Sequence, residues 1–275
     1  MTKMWKRIIL GIAFLCFGAG LYFWVASRMI KNTKEVTFLS AEETQSVLND
    51  DADHYYQTFH KTDLKVRKSK NLQDYLAKIA KSGCDGEEEN KEKILDCIDK
   101  VNKRLETHRG TTVEGINIGK LIDLSWRIGF TCDNFYESGL PHTRGDVIIL
   151  NNQDIQRRNI VEMCQLLIHE KVHIYQKTYT EDVDAHLKEH FDIVKARDEN
   201  EEAPANPDID NHVYKRKNDG KVMESTYNKK PTHFRDIQFP DGDHTMEHPL
   251  EQMAYQMEKL HKECTGIQRS AEEVP

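Results

Sequence analysis

No basic stripe, no Asn-x-Ser/Thr acceptor and no paired cysteine spacing can be found in this 275-residue sequence. Lysine and arginine are interspersed with a larger number of acids, for a net charge of -7, and they gather on no single expected helix. The electrostatic footprint that nucleic acid demands is missing, so polynucleotide binding is set aside. The lack of a glycosylation acceptor disfavours a heavily glycosylated ectodomain. Of the six cysteines, Cys16 lies in an apolar run, which leaves Cys84, Cys97, Cys132, Cys164 and Cys264. That odd set without metal-ligand spacing argues against a disulfide scaffold, and Cys84 with Cys97 is the one bridge expected. Internal repeats and low-complexity segments are absent too.

What is present begins with residues 8–27 (IILGIAFLCFGAGLYFWVAS), which carry no charge. About 20 apolar residues suffice to cross a bilayer as a helix, and the run exceeds the core of a cleaved signal. Tyr22, Phe23 and Trp24 suit the headgroup boundary of a retained anchor. The sequence therefore predicts a single-pass membrane protein tethered by its N-terminal helix. Lys3, Lys6 and Arg7 on one flank balance Arg28, Lys31 and Lys34 on the other, leaving the orientation open.

Beyond that run, Ser40 and Glu43 read as a capping box opening a helix through Leu48. Residues 71–81 look helical, and Ile94, Ile98, Val101 and Leu105 recur at helical spacing. From about residue 111 the pattern changes, with short apolar runs at 126–131 and 147–150 that suit strands. The longest amphipathic helix follows: Val161, Cys164, Ile168, Val172 and Tyr175 form its apolar stripe, and His169, His173 and Gln176 a neighbouring polar one. A further helix is expected over 181–197, then a connector with one hairpin turned at Asn218-Asp219-Gly220, and a final helix starting at His248-Pro249.

Within the long helix, His169-Glu170-Lys171-Val172-His173 matches HExxH. Residues four apart project from one helical face, so two imidazoles can grip one zinc ion. Glu170 would then stand beside the metal as the base that takes a proton from water and passes it to a leaving amine. So short a pattern arises by chance, but here it lies in an apolar helix (CQLLIHEKVHIYQ), where such side chains are expensive to bury without partners. A third ligand is needed. Glu251 is the candidate, because Leu250, Met253, Ala254 and Met257 give its helix an apolar face to pack on the motif helix; Glu247, His248 and His244 are alternatives.

Other residues carry weaker signals. His186-Leu187-Lys188-Glu189-His190 is literally HxxEH, but its charge-crowded surroundings read as a solvated helix face. Asp182 or Asp184 would serve as partners to a ligand histidine. His142 or Arg144, in the segment preceding the strand that leads to the motif helix, and Tyr255, Tyr175 or Tyr214 are candidates for touching substrate or an oxyanion; turn chemistry and local packing explain the same residues without function.

The chain resembles the HExxH metallopeptidase-like proteins of large cytoplasmic DNA viruses of the mimivirus kind. The matching stretches are TFLSAEETQSVL, DLKVR, GLPHTRGDVIIL, LIHEKVHIYQK, ANPDIDNHVYK and EHPLEQMAY. The resemblance implies a gluzincin-like site with His169, His173 and Glu251 on zinc and Glu170 as base; the long spacer from His173 to Glu251 departs from familiar gluzincins. The expected architecture is α+β: residues 1–34 a membrane anchor with a single transmembrane helix, 35–110 an N-terminal helical region, and 111–275 a zincin-like metallopeptidase domain. The expected function is zinc-dependent hydrolysis of a protein or peptide substrate at a membrane. The rival is a non-catalytic membrane or virion protein with a structural zinc site.

Overall fold

In the computed structural model, residues 35–262 are described. Strand β1 (Val36–Phe38) leads to helix α1 (Ala41–Asn49), α2 (Lys61–Val66) and α3 (Leu72–Ile79), then β2 (Gly83–Cys84) and the long α4 (Glu88–Glu106). A small hairpin, β3 (Thr112–Val113) with β4 (Ile116–Asn117), precedes α5 (Ile118–Asp123), β5 (Trp126–Thr131), β6 (His142–Arg144), β7 (Val147–Asn151) and α6 (Asn152–Arg157). The motif helix α7 (Ile160–Thr178) and α8 (Thr180–His190) follow, then β8 (Phe191–Ala196), β9 (His212–Arg216), β10 (Val222–Met223), β11 (Thr226–Tyr227), β12 (Ile237–Gln238) and α9 (Pro249–Lys262).

The main sheet runs β1-β5-β7-β6, and β2 also pairs with β5. Pairing of β1 with β5 and of β5 with β7 is parallel, whereas β6 lies antiparallel to β7 at the edge. Strand period dictates the layering. Ile148 and Leu150 of β7 join the core made with α4 and α7, while Val147 and Ile149 join Leu39, Leu48, Tyr55, Tyr75 and Ile79 from the N-terminal helices. Such burial on both faces is what parallel strands require.

This corrects the expected fold class. In place of an α+β zincin-like domain behind a transmembrane helix, the described residues are mixed α/β, 49% of them helix and 18% strand. The expected membrane location is corrected with it. Among the described residues no helix is long and apolar enough to cross a membrane. The two longest, α4 and α7, have 19 residues each but carry charges throughout, which a hydrocarbon core would not accept. The run at 8–27 lies outside the described residues.

Several local expectations are met. Ser40 Oγ accepts from Glu43 N–H at 3.2 Å, and Glu43 returns the bond to Ser40 N–H at 2.8 Å. The β9–β10 turn takes Gly220 at a positive φ of 72°, where glycine avoids the Cβ clash. Two are not. The helix expected over 181–197 ends at His190, because the following residues pair as β8 with the distant β9. The expected Cys84–Cys97 bridge is instead Cys84–Cys132. β2 pairs with the far end of β5, which sets Cys84 opposite Phe130 and near Cys132, whereas Cys97 sits on the buried face of α4.

Candidate metal centre

Helix α7 starts firmly: the Asn159 side chain accepts from Val161 N–H at 2.9 Å and Glu162 N–H at 3.0 Å, and Glu162 closes the box on Asn159 N–H at 2.9 Å. Its central turns are buried on every side between the sheet, α4 and α9. His169 and His173, one turn apart, project from one face of the helix toward α9. There Ala254 is fully buried and brings the helices close, setting Glu251 against both rings.

His169 Nε2 lies 3.2 Å and His173 Nε2 3.7 Å from Glu251 Oε2. One donor atom from each residue falls within 4.8 Å of the others, and this buried group of three could bind a metal ion. The other atoms of these side chains are already held. His169 Nδ1 donates to Glu258 Oε1 at 2.8 Å and His173 Nδ1 to Gln176 Oε1 at 2.8 Å, while Asn206 Nδ2 donates to Glu251 Oε1 at 3.0 Å. Gln176 is itself fixed, since its amide donates to Leu250 O at 2.9 Å. Fixing Nδ1–H as the donor leaves the Nε2 lone pair of His173 aimed at the group. That nitrogen is buried and has no hydrogen-bond partner, an expensive state unless a ligand completes it. The residues thus fit a metal ion.

The electrostatics agree with a clustered acid and base set. Burial alone would lower the His169 imidazole, but Glu251 and Glu258 outweigh it and hold it well above its usual range. Burial raises the Glu251 carboxyl, yet His173 and His169 bring it down to about 2. Burial also lowers His173, favouring the neutral ring that ligates. Glu170 is pushed up to about 8, by burial first and then by Asp208, and it accepts at Oε2 from the Thr143 hydroxyl at 3.0 Å.

The group opens on a cleft of about 530 Å³ whose walls include His142, Leu166, Pro204, Asp208, Phe234 and Tyr255. Both His142 nitrogens are engaged, Nδ1 with Leu140 O at 3.0 Å and Nε2 with the Tyr136 hydroxyl at 3.0 Å, so the ring is a wall with no spare donor. The Tyr255 ring stacks edge-on against His169, with centroids 4.8 Å apart. Arg144 turns away as a buried strut to Asp53, at 2.6 and 2.8 Å. Tyr175 and Tyr214 bond Asp182 and Asp210 at 2.5 and 2.7 Å, and neither lines the cleft.

Among the alternative third ligands, Glu247 is half-buried and bonded to Asn206 and Ser225. His248 caps α9 by accepting from Leu250 N–H at 3.2 Å, and His244 stacks on Tyr255. In the HxxEH segment the rings of His186 and His190 lie 4.6 Å apart, but among the described residues they gather no third donor of the kind Glu251 supplies. Asp182 pairs with Lys120 and Asp184 with Lys188, so neither braces a ligand histidine. The ligands are braced instead by Glu258 on His169, Gln176 on His173 and Asn206 on Glu251. The first two were readable in principle: Gln176 follows His173 by one helical turn and Glu258 follows Glu251 by two.

No family model, curated protein or solved structure matches the chain.

Proposed function

We propose that the chain is a zinc-dependent hydrolase of peptide bonds, with His169, His173 and Glu251 as the metal ligands and Glu170 as the base. The observation that carries this reading is the buried, unpartnered Nε2 of His173 beside Glu251, in a group whose outer atoms are all braced. Two imidazoles and a carboxylate are a donor set that zinc takes in catalytic sites. Bound there, the ion supplies a Lewis acid that acidifies water and polarises a carbonyl.

The chain's own residues do the rest. Glu170, adjoining the ligand His169 and oriented by Thr143, holds the proton that water loses and returns it to the departing amine. Burial of Glu170 excludes bulk water from that exchange. His142 and Tyr255 shape the cleft wall against which a substrate lies. The resemblance to the viral HExxH proteins implies the same assignment.

The rival, a structural zinc in a non-catalytic protein, is less well supported, because structural sites close with four protein ligands and this group offers three beside an open cleft. Metal analysis of the purified chain tests the assignment. We expect about one zinc per chain, lost in His173→Ala and kept in Glu170→Gln, with peptide hydrolysis abolished in both. Hydrolysis by Glu170→Gln at the parent rate would remove the catalytic reading; unfolding on chelation, with no peptide cut, would favour the structural one.

A further inference from the structure

Beside the metal group, residues 203–210 cross the cleft as a strap without regular secondary structure, and they are pinned along their length. Arg197 donates to Pro204 O at 3.0 Å, and Ala205 N–H donates to Asp63 at 2.9 Å. Asn206 reaches Glu251 at 3.0 Å, and Asp210 meets His248 at 3.2 Å. The firmest attachment is Asp208, whose buried carboxylate accepts the Thr143 N–H at 3.1 Å on both oxygens and pairs with Lys177 at 2.9 Å. The same Lys177 ammonium donates to Thr143 O at 2.6 Å.

Thr143 is the middle residue of β6, the edge strand of the main sheet. Its N–H and C=O are the pair that a polypeptide would need in order to add alongside β6 as a further strand. Both are already taken, one by Asp208 and the other by Lys177. An extended chain therefore has no free edge next to Glu170, and the cleft of about 530 Å³ is of a size that encloses a small ligand.

Resting on the hydrolase reading above, we propose that Asp208 is the specificity determinant of the cleft: it occupies the sheet edge in place of substrate backbone and restricts the site to short peptides and chain ends. The strap is a fixed wall, because its bonds to Asp63, Thr143 and Glu251 come from three separate parts of the fold. Internal segments of folded or extended proteins are refused, and a peptide enters end first.

Binding separates this from its alternatives. The full-length chain carrying Glu170→Gln is titrated with a fluorescein-labelled tripeptide and with a ten-residue peptide containing the same three residues, each followed by anisotropy. The expected result is that the longer peptide gains nothing over the tripeptide, and that adding Asp208→Ala tightens the longer one roughly tenfold or more. Asp208→Asn, which keeps an acceptor for Thr143 N–H, falls between. Amide exchange at Thr143 reports the edge directly, slow in the parent and faster in Asp208→Ala. Equal affinity of the long peptide for parent and Asp208→Ala, including no binding to either, overturns the proposal; so does unchanged exchange at Thr143. Should Asp208→Ala not fold, the Asp208→Asn comparison decides by the same criteria. Zinc analysis of the same preparations reads the parent assignment separately: a long-peptide gain in a zinc-free protein keeps the filter and removes the hydrolase.

Discussion

Thr143 donates its hydroxyl to Glu170 Oε2 at 3.0 Å while its backbone N–H is held by Asp208, so one edge-strand residue both aims the base and anchors the strap. Replacing it with valine keeps the shape and the backbone bonds but removes the donor. Losing a partner that orients a site residue typically costs 10–100-fold. We expect kcat of Thr143→Val to fall by about that factor, with KM and zinc content unchanged, as read by steady-state hydrolysis and metal analysis. A parallel loss of zinc would place Thr143 in the metal frame instead.

Glu258 fixes His169 from the side opposite the ligand group, through the 2.8 Å bond to Nδ1. Without it the ring can rotate, and its Nε2 becomes a weaker donor. Zinc affinity of Glu258→Ala, measured by competition with a chromogenic chelator, should drop about 10–100-fold. Gln176→Ala should lose affinity through His173 by the same reasoning, because its amide oxygen holds His173 Nδ1 at 2.8 Å. Lys188→Ala, on the charged face of α8, should leave affinity untouched.

The two histidines and Glu170 were legible because their geometry is local, set by four-residue spacing on one helix. Glu251 was legible through the apolar face of its own helix, which announces a packing partner. The strap was not: Asp208 and Thr143 are separated by 65 positions, and nothing in either segment advertises a bond made only after the fold closes. Parallel pairing of β1 with β5 was hidden for a similar reason, since β1 has three residues and takes its place from a distant strand. The helix expected over 181–197 failed because β8 is held by β9, and local charge spacing had no access to that pairing.

The Cys84–Cys132 disulfide closes a loop of 48 residues and clamps β2 to the end of β5. Restricting the unfolded chain in this way is worth about 2–4 kcal/mol. Cys132→Ser should lower stability by about that amount, read as a shift in urea midpoint. Cys97 is a free buried thiol outside the bridge, so its replacement should leave the redox sensitivity in place: in Cys132→Ser a reductant should have no further effect, whereas in Cys97→Ser it should still destabilise.

Arg67 and Glu137 form a buried pair in the wall of the cleft, with the guanidinium donating to the carboxylate at 2.7 Å from Nη2 and 3.1 Å from Nε, and to Asp63 at 3.2 Å from Nη1. Arg67 also reaches the Tyr55 hydroxyl at 2.9 Å and lies over the Phe59 ring at 4.3 Å, and Tyr75 donates to Glu137. Burial by itself would raise the Glu137 carboxyl, but Arg67 prevails and holds it below the usual carboxylate value. A carboxyl whose folded value lies below its unfolded one contributes its full stability above the unfolded value, near 4.3. That contribution drains away as pH falls through the folded value. The Glu137 contribution to wild-type stability should therefore be level from neutral pH down to about 5 and be lost in more acid solution. Removing the cation with Arg67→Met strands a buried carboxylate, which costs about 3–5 kcal/mol. Its carboxyl then rises, so acidification toward pH 5 should narrow the gap between mutant and wild type. Urea midpoints of both proteins across pH 4–8 measure this; a gap that stays constant with pH would mean that Arg67 acts through packing on Phe59 and not through Glu137.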